Sequence, residues 1–243
     1  MLKQDAMTPL YVQLMDEVEK SIKKGVYKPG DKIMTETEMA REYGVSLITV
    51  RKAIGSLMEK GLVVKKQGKG TFVTKPKYAR NMKKLQSFSE MCAQMGVTPG
   101  AKMLENRLIP ADSKVASRLR IERGSNVVYI SRLRYADQEP VQIERSFFPL
   151  KYAFLLDADF DDNSLFDYLR EKAGVRVASS EKMIELCRAT SEEAALLGLK
   201  KGDYLLFVRS TAFDKNGDPM YCGIQIINGD RFSLYVYETS DEE

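Results

Sequence analysis

Two short helix signals separated by a three-residue turn constrain the fold of this chain more than any other feature. The stretch TETEMAREYG begins with Thr35 and Glu38 at capping-box spacing and ends at Gly44, which predicts one short helix. Ser46 then occupies the N-cap position of an amphipathic run that continues to about Lys60. The residues GVS therefore form a tight turn between two helices, which is typical of a helix-turn-helix.

The flanking segments complete a small domain around this motif. Upstream, Thr8 is a candidate N-cap, Pro9 suits the first helical position and Gly25 is a stop signal, with an apolar stripe at helical spacing between them. Downstream, LVVKKQGKGTFV has two β-branched runs around a basic, glycine-rich tip, which predicts a β-hairpin. Taken alone, GKG is an ordinary turn. After a helix-turn-helix, the hairpin predicts a wing whose narrow tip approaches a phosphate backbone.

Charge is distributed unevenly along the chain. Residues 1–84 carry 18 Lys and Arg against 9 Asp and Glu, whereas residues 85–243 carry 20 against 25. A basic first third is typical of a nucleic-acid-binding module joined to a second domain, although a lysine-rich solvated surface has the same charge. We expect a winged helix-turn-helix over 1–75, a basic linker over 76–84 and a second domain over 85–243.

The second domain is predicted to be α+β, with an antiparallel sheet. Strands are indicated at 101–109, at two alternating runs within 126–149, and at 177–189, 203–213, 219–228 and 231–238. Helices are indicated at 87–97, at 112–121, after the N-cap Ser164, and after the capping box of Thr190 and Glu193. Connections of hairpin length between many of the strands favour antiparallel pairing.

The composition excludes several kinds of site. The chain contains no histidine, which excludes Ser-His-Asp and Cys-His catalytic sites and removes the commonest zinc ligand. Its three cysteines are far apart, as expected for reduced core residues. We therefore expect no catalytic residues, no metal and no cofactor. No apolar run approaches membrane-spanning length and the N-terminus lacks a signal-peptide pattern, so we expect a cytoplasmic protein without membrane contact.

The motifs resemble a known family. The first domain, above all TVRKAI and GKGTFV, resembles the DNA-binding domain of GntR-family bacterial transcription regulators. SRLRYADQEPVQIERSFFP at 131–149, SLFDYL at 164–169 and NGDRF at 228–232 resemble the UTRA effector domain of the HutC subfamily, whose fold is similar to that of chorismate lyase. The resemblance implies a homodimeric repressor that binds a two-fold operator in double-stranded DNA under control of a small metabolite, often a sugar phosphate. A DNA-tethered lyase and an architectural DNA-binding protein are the alternatives.

The same resemblance implies the DNA contacts. Many relatives carry guanine-reading arginines where this chain has Thr37 and Leu47, so a guanine-centred operator does not follow. Leu47 and Ile48 either pack on thymine methyl groups or, for Leu47, fold back onto the preceding helix. The full set of expected DNA-binding residues is Thr35, Glu36, Thr37, Ser46, Leu47, Thr49, Arg51, Lys52, Lys69 and Gly70.

The effector site is likewise implied by resemblance. A phosphate would be held by Ser87, Phe88, Arg132, Arg134 and Ser164, since guanidinium groups and helix N-termini suit phosphate oxygens. Glu144 would accept hydroxyl or amine donors, and Tyr221 stands where several sugar-phosphate sensors have an acidic residue. Arg231, in NGDRF, completes the set. We expect an anionic effector. In the alternative interpretation, Arg132 and Arg134 lie on the solvent face of a strand and Ser164 is only a cap.

Overall fold

The structure is a computed structural model, and it describes residues 7–66, 68–75, 77–83, 85–161 and 164–238. The chain divides after residue 76 into two compact units, each with its own apolar core. Within the described residues, no helix is long and apolar enough to cross a membrane.

In the described part of the first unit, three helices precede a two-stranded antiparallel hairpin. The elements are α1 (Leu10–Lys23), α2 (Glu36–Tyr43), α3 (Leu47–Glu59), β1 (Val63–Lys66) and β2 (Gly70–Val73). The apolar stripes of α1 and α3 face each other, so that Leu14, Val50 and Leu57 are fully buried. This arrangement is the predicted winged helix-turn-helix.

The predicted capping of the two motif helices is confirmed. The Thr35 amide donates to Glu38 Oε2 at 2.7 Å, and the Glu38 amide donates back to Thr35 Oγ1 at 3.3 Å. Gly44 ends α2 in the left-handed region at φ 63°, and Ser46 accepts from the Thr49 amide at 3.2 Å. Gly44 and Ser46 thus end α2 and begin α3 within a three-residue turn.

The predicted start of the first helix is wrong by one position. Pro9, not Thr8, is the N-cap, and no side chain caps the helix. Pro9 has extended backbone angles (φ −55°, ψ 143°), and its carbonyl accepts from the amides of Val12 and Gln13. The proline therefore lies just outside α1 and not at its first helical position.

Among the described residues of the second unit, six strands form one antiparallel sheet in the order β4-β5-β6-β9-β8-β7. The strands are β4 (Pro99–Pro110), β5 (Asn126–Ala136), β6 (Glu139–Pro149), β7 (Ser179–Arg188), β8 (Tyr204–Phe213) and β9 (Pro219–Asn228). The helices are α4 (Phe88–Gln94), α5 (Ser113–Leu119), α6 (Leu165–Ala173) and α7 (Ser191–Leu197), with a 3₁₀ segment at Leu150–Asp157. Helices α4 and α6 cover one face of the sheet, and α5 and α7 cover the other.

Two further strands differ from the sequence-based expectation. Part of the stretch expected as a linker, 76–84, forms β3 (Tyr78–Asn81), which pairs in parallel with β10 (Phe232–Tyr235). The sequence predicts a last strand over 231–238 within the antiparallel sheet, but the observed strand is shorter and, among the described residues, pairs with β3 alone. Because the two partners lie about 150 residues apart in the chain and β3 has no apolar alternation, no local pattern indicated this pairing. Pro76 and Lys84 lie outside the described residues.

Candidate functional site

The leading end of α3 presents apolar side chains to solvent. Ile48 is 77% exposed and Leu47 is 42% exposed, and neither belongs to the core cluster of the first unit. Thr37 on α2 is exposed as well. The surface that a recognition helix offers first is therefore apolar, with hydroxyl groups beside it. The Ser46 and Thr49 hydroxyls lie there 2.9 Å apart, at the N-terminus of the helix.

A single carboxylate joins α2, α3 and the hairpin. Glu36 Oε2 accepts from Arg51 Nε at 2.8 Å, and Glu36 Oε1 accepts from Lys65 Nζ at 2.8 Å. The hydrogen bonds from Lys65 and Arg51 lower the pKa of Glu36, which keeps it ionised at neutral pH. Both cations remain largely exposed. Glu36 therefore orients two positive groups at the surface and leaves them accessible to phosphates.

The wing supplies further cations and one constrained glycine. Lys69 is exposed beside Gly70, which begins β2 at φ 119°, a conformation that favours glycine. A Cβ on Gly70 would lie 2.5 Å from Lys32 Cε. The Lys32 side chain can move away, so it is the positive φ that favours glycine here, whether or not DNA is bound. Gln67, at the tip of the hairpin, lies outside the described residues.

The remaining predicted DNA contact, Lys52, lies on α3 with its Nζ 3.9 Å from the centre of the Tyr11 ring. Its position over α1 is a cation–π contact within the unit. Of the ten predicted residues, Glu36 and Arg51 form an ion pair with each other, and Glu36 also pairs with Lys65 of β1. Thr35 and Ser46 cap the two motif helices, and the Thr49 hydroxyl lies beside that of Ser46. Thr37, Leu47 and Lys69 are exposed.

The second unit contains a cavity of about 440 Å³ on the α4 and α6 face of its sheet. Four of the eight predicted effector residues line it: Ser87, Phe88, Glu144 and Tyr221. The other four, Arg132, Arg134, Ser164 and Arg231, are not among the lining residues. The volume is that of a small-metabolite site.

Arg132 and Arg134 lie on β5 opposite the lining residues Glu144 and Gln142 of β6, on the same face of the sheet. Arg132 and Arg134 are each 3% exposed, so the alternative that placed them on the solvent face of a strand is wrong. Arg132 lies opposite Glu144 in the β5–β6 register, and its Nη2 is 2.6 Å from Glu144 Oε2. The Arg134 guanidinium stacks 4.6 Å from the centre of the Phe88 ring. The ion pair with Arg132 positions Glu144 at the cavity surface.

The electrostatics of Glu144 result from two opposing effects. Burial alone would raise the pKa of Glu144, but the charges of Arg132 and Arg134 and the hydrogen bond from Arg132 lower it below its ordinary value. The carboxyl group is therefore ionised at neutral pH although it is buried. It can accept hydrogen bonds from a hydroxyl or amine group in the cavity.

The two predicted serines cap the helices that flank the cavity. Ser87 accepts from the Glu90 amide at 3.1 Å, and Ser164 accepts from the Asp167 amide at 3.3 Å. Tyr221 stacks on Phe148 at 5.0 Å between ring centres, and burial raises the pKa of its phenol, so it is a neutral group. Where an acidic residue was expected from similar sensors, this cavity has a neutral hydroxyl.

Arg231 is held elsewhere in the second unit. Its Nη2 donates to the Tyr78 hydroxyl at 3.0 Å, and its Nε lies 3.1 Å from Glu139 Oε2. Arg231 thus links the β3–β10 pair to the β6 strand. The geometry assigns it to the packing of this unit and not to the cavity lining.

Several cavity residues were not predicted from the sequence. Arg80 lines the cavity from β3, Lys182 from β7, and Gln142 and Gln225 from β6 and β9. Gln142 shares the alternation of Glu144 on β6, so strand periodicity was a usable signal for it. Arg80 has no such signal, because β3 lacks apolar alternation and its partner strand lies about 150 residues away in the chain.

Comparison with known proteins agrees with this two-unit organisation. The family model described as "Bacterial regulatory proteins, gntR family" matches residues 10–73, and the model described as "UTRA domain" matches residues 94–233. The chain is 36% identical to the uncharacterized HTH-type transcriptional regulator YurK of Bacillus subtilis (strain 168), over 97% of this chain and 98% of that protein.

Two further similarities extend this comparison. The chain is 30% identical to the "Probable fructoselysine utilization operon transcriptional repressor" of Escherichia coli (strain K12), over 93% of each protein. The crystal structure of PhnF from Mycobacterium smegmatis is similar in fold, with a TM-score of 0.66 and 23% identity, over 94% of this chain and 100% of that one.

Arg51→Gln is expected to weaken DNA binding without unfolding the protein. Its ion pair with Glu36 is exposed and contributes at most about 1 kcal/mol to the free energy of unfolding. Each lost phosphate contact should reduce the slope of log K against log salt by about 0.9. Lys60→Gln, which removes a similar exposed pair with Glu19, is the matched control. An unchanged salt slope in Arg51→Gln would remove Arg51 from the phosphate-binding surface.

Glu144→Gln is expected to destabilise the protein by about 3–5 kcal/mol at pH 7, because it removes the carboxylate from a buried ion pair. Since the folded-state pKa of Glu144 is lowered, the wild-type contribution is present above the unfolded-state pKa and is lost as pH falls through the folded-state value. Urea unfolding between pH 3 and pH 7 measures this dependence. Glu105→Gln, in an exposed pair with Arg107, should cost less than about 1 kcal/mol. Equal losses in the two variants would contradict the assigned role of the buried pair.

Proposed function

The chain belongs to the gntR family of bacterial regulatory proteins, and we propose that it is a homodimeric repressor that binds a two-fold operator in double-stranded DNA and is controlled by an anionic metabolite. Its UTRA domain and its repressor relatives make it a metabolite-controlled transcription regulator and not an enzyme. Beyond this, we propose that the protein is a dimer, that its operator is two-fold symmetric and that its effector is anionic. We also propose that it acts in the cytoplasm, where its operator lies.

The observation that carries the proposal is the exposed leading end of α3 next to Arg51 and Lys65, the two cations that pair with Glu36. A helix in the major groove reads base edges with its N-terminal residues, while cations on neighbouring elements bind phosphates. Ile48 and Leu47 offer methyl groups and no hydrogen-bond donors. We therefore expect thymine methyl contacts near the centre of each half-site, in place of guanine contacts.

The cavity supports control by an anionic metabolite. It has the volume of a small-molecule site, and Arg80, Lys182 and the buried Arg132 and Arg134 surround Glu144. These positive groups outnumber the two carboxylates of the lining, Glu90 and Glu144, so an anion gains charge-assisted hydrogen bonds there. One relative is named as a repressor of a fructoselysine utilization operon, which supports a sugar derivative as the effector.

Control requires that the effector distinguish two states of the protein. The cavity is lined by Arg80 of β3 and by Gln86 to Phe88 at the start of α4, which are the first described elements after the boundary at residue 76. If a bound ligand holds β3 and the start of α4 in a different position, it changes the path of the chain that leads to the DNA-binding unit. The change in operator affinity then equals the differential affinity of the ligand for the two states.

DNA binding by the full chain should depend strongly on salt. With about 6–10 phosphates neutralised by a dimer, affinity for an operator selected from random duplex DNA should fall about 10³–10⁵-fold between 50 and 200 mM salt. Fluorescence anisotropy measures this fall. A scrambled duplex of equal length is the control, since it should bind more weakly at every salt concentration. A nearly flat titration would overturn the proposed DNA-binding surface.

The dimer contact is proposed at the β7 edge of the sheet. Within the described residues, β7 pairs only with β8, and it exposes Met183, Ile184 and Leu186, of which Leu186 is 71% exposed. An unpaired edge with apolar side chains invites another strand. Two-fold pairing of β7 with its own copy would satisfy both edges at once and close the assembly.

Leu186→Lys is therefore expected to convert the dimer into a monomer, because a buried ammonium group opposes strand pairing. Analytical ultracentrifugation of the full chain at micromolar concentration gives the mass. Leu108→Lys is the matched control, since Leu108 is an exposed leucine on β4, the opposite edge of the same sheet. A Leu186→Lys dimer, or a monomeric wild type, would overturn this assembly.

A further inference from the structure

We propose that Arg80 and Lys182 form a second acid-binding subsite in the cavity, and that the effector carries a carboxylate bound there in addition to a separate acidic group. This inference rests on the proposed function, because it assigns a chemical class to the anionic effector of that cavity. Neither residue belongs to the set implied by the family resemblance. Arg80 lies on β3 and Lys182 on β7, and both line the cavity.

The sheet register places Lys182 beside small polar groups. Lys182 lies opposite Ser210 across β7 and β8, and Ser210 lies opposite Gly223 across β8 and β9. Gly223 has no side chain, and a Cβ there would lie 3.2 Å from the Arg145 carbonyl oxygen. Gly223 is therefore closely packed, and Ser210 is the member of this row that lines the cavity beside Lys182. An ammonium group with the Ser180 and Ser210 hydroxyls nearby offers several donors to one carboxylate.

Arg80 is fixed from the other side of the same region. Its Nη1 donates to Gln225 Oε1 at 2.9 Å, and Gln225 lies opposite Glu144 across β6 and β9. This bond occupies one of the five guanidinium N–H groups, so a two-point contact with a carboxylate remains available. The amide of Gln225 thus orients Arg80 over the sheet without neutralising it.

The protein compensates the charge of the two residues only in part, because the charge of Glu144 acts on Arg80 but Glu144 is already paired with Arg132. Within the part of the chain that the structure describes, neither Arg80 nor Lys182 forms an ion pair. Of the carboxylates in the lining, Glu144 is bound to Arg132, and Glu90 accepts from the Ser87 amide in a capping box. Burial lowers the pKa of Arg80 and of Lys182, and the charge of Arg80 lowers the pKa of Lys182 further. A bound anion would relieve this repulsion.

Gln142 provides an independent sign that a polar ligand belongs in the cavity. It lines the cavity and is 1% exposed, yet neither its amide oxygen nor its amide nitrogen has a hydrogen-bond partner among the described residues. A buried amide without partners is costly, and it is satisfied by a group that both donates and accepts. Hydroxyl groups have this property. The cavity therefore suits an anion that also carries hydroxyl groups.

A purely structural role for the two cations makes different predictions. In a structural role, Lys182 would only restrict how the β7 edge pairs, and Arg80 would only anchor the short strand β3. In that case, loss of either charge would change assembly or stability but would not discriminate between ligands. Binding selectivity therefore separates the two roles.

The probes are 6-phosphogluconate and glucitol 6-phosphate, which share a phosphorylated open chain and differ by a carboxylate against a hydroxymethyl group. Isothermal titration calorimetry on the full chain is expected to show tighter binding of 6-phosphogluconate by wild type. Arg80→Gln and Lys182→Gln should each weaken 6-phosphogluconate about 10–150-fold, the effect of one charge-assisted hydrogen bond, and leave glucitol 6-phosphate unchanged. Arg107→Gln, on the opposite face of the sheet, should change neither.

Each outcome decides between the possibilities. Equal affinity of wild type for the two probes, or equal losses for both probes in the variants, would overturn the second subsite and leave the anionic effector intact. Failure of wild type to bind either probe at millimolar concentration would overturn the anionic effector as well. Circular dichroism and sedimentation verify that each variant is folded and assembled. If Arg80→Gln unfolds, Lys182→Gln still provides the test, because Lys182 is only partly buried.

Discussion

The second unit is organised around an ion pair inside its sheet. Arg132 and Glu144 lie opposite each other on neighbouring strands, almost without solvent. Removing two charges from water is costly, and the interaction recovers this cost only with close geometry and additional hydrogen bonds. A buried pair is therefore weak evidence for stability. Its effect here is to keep Glu144 ionised at the cavity surface and to leave the positive groups around it in excess.

Alternation along the strands extends this effect across the whole cavity floor. On β6, Gln142, Glu144 and Ser146 face α4 and α6, while Ile143 packs with α7 on the other side. A face that packs against helices would ordinarily be apolar. Here its middle is polar, and Val128, Ile130 and Phe148 supply the apolar core beyond it, toward α6. Gln142, whose amide has no hydrogen-bond partner among the described residues, therefore lies where a ligand can reach it.

The sequence predicted the scaffold better than the site, for a physical reason. Caps, glycine stops and strand alternation are local, so the capping boxes at Thr35 and Thr190, the hairpin wing and the sheet strands could be predicted from neighbouring residues. The cavity depends on contacts between distant segments. Arg80 could not be placed because β3 pairs with a strand about 150 residues later. Burial of Arg132 and Arg134 was equally inaccessible, since alternation predicts that two residues share a face and not which face is covered.

The position of β3 connects these observations to regulation. Its pairing with β10 secures a short basic segment that follows the boundary between the units, and Tyr78 and Arg231 hold that pairing from within the second unit. Arg80, two residues after Tyr78, reaches the cavity. An anion that binds Arg80 therefore acts on the same short segment that continues into the DNA-binding unit. A contact deeper in the sheet, such as the one with Glu144, acts on strands that are already fixed on both sides. If effector binding changes the chain path, the change acts through β3 and the start of α4, because these are the cavity elements that follow the boundary between the units.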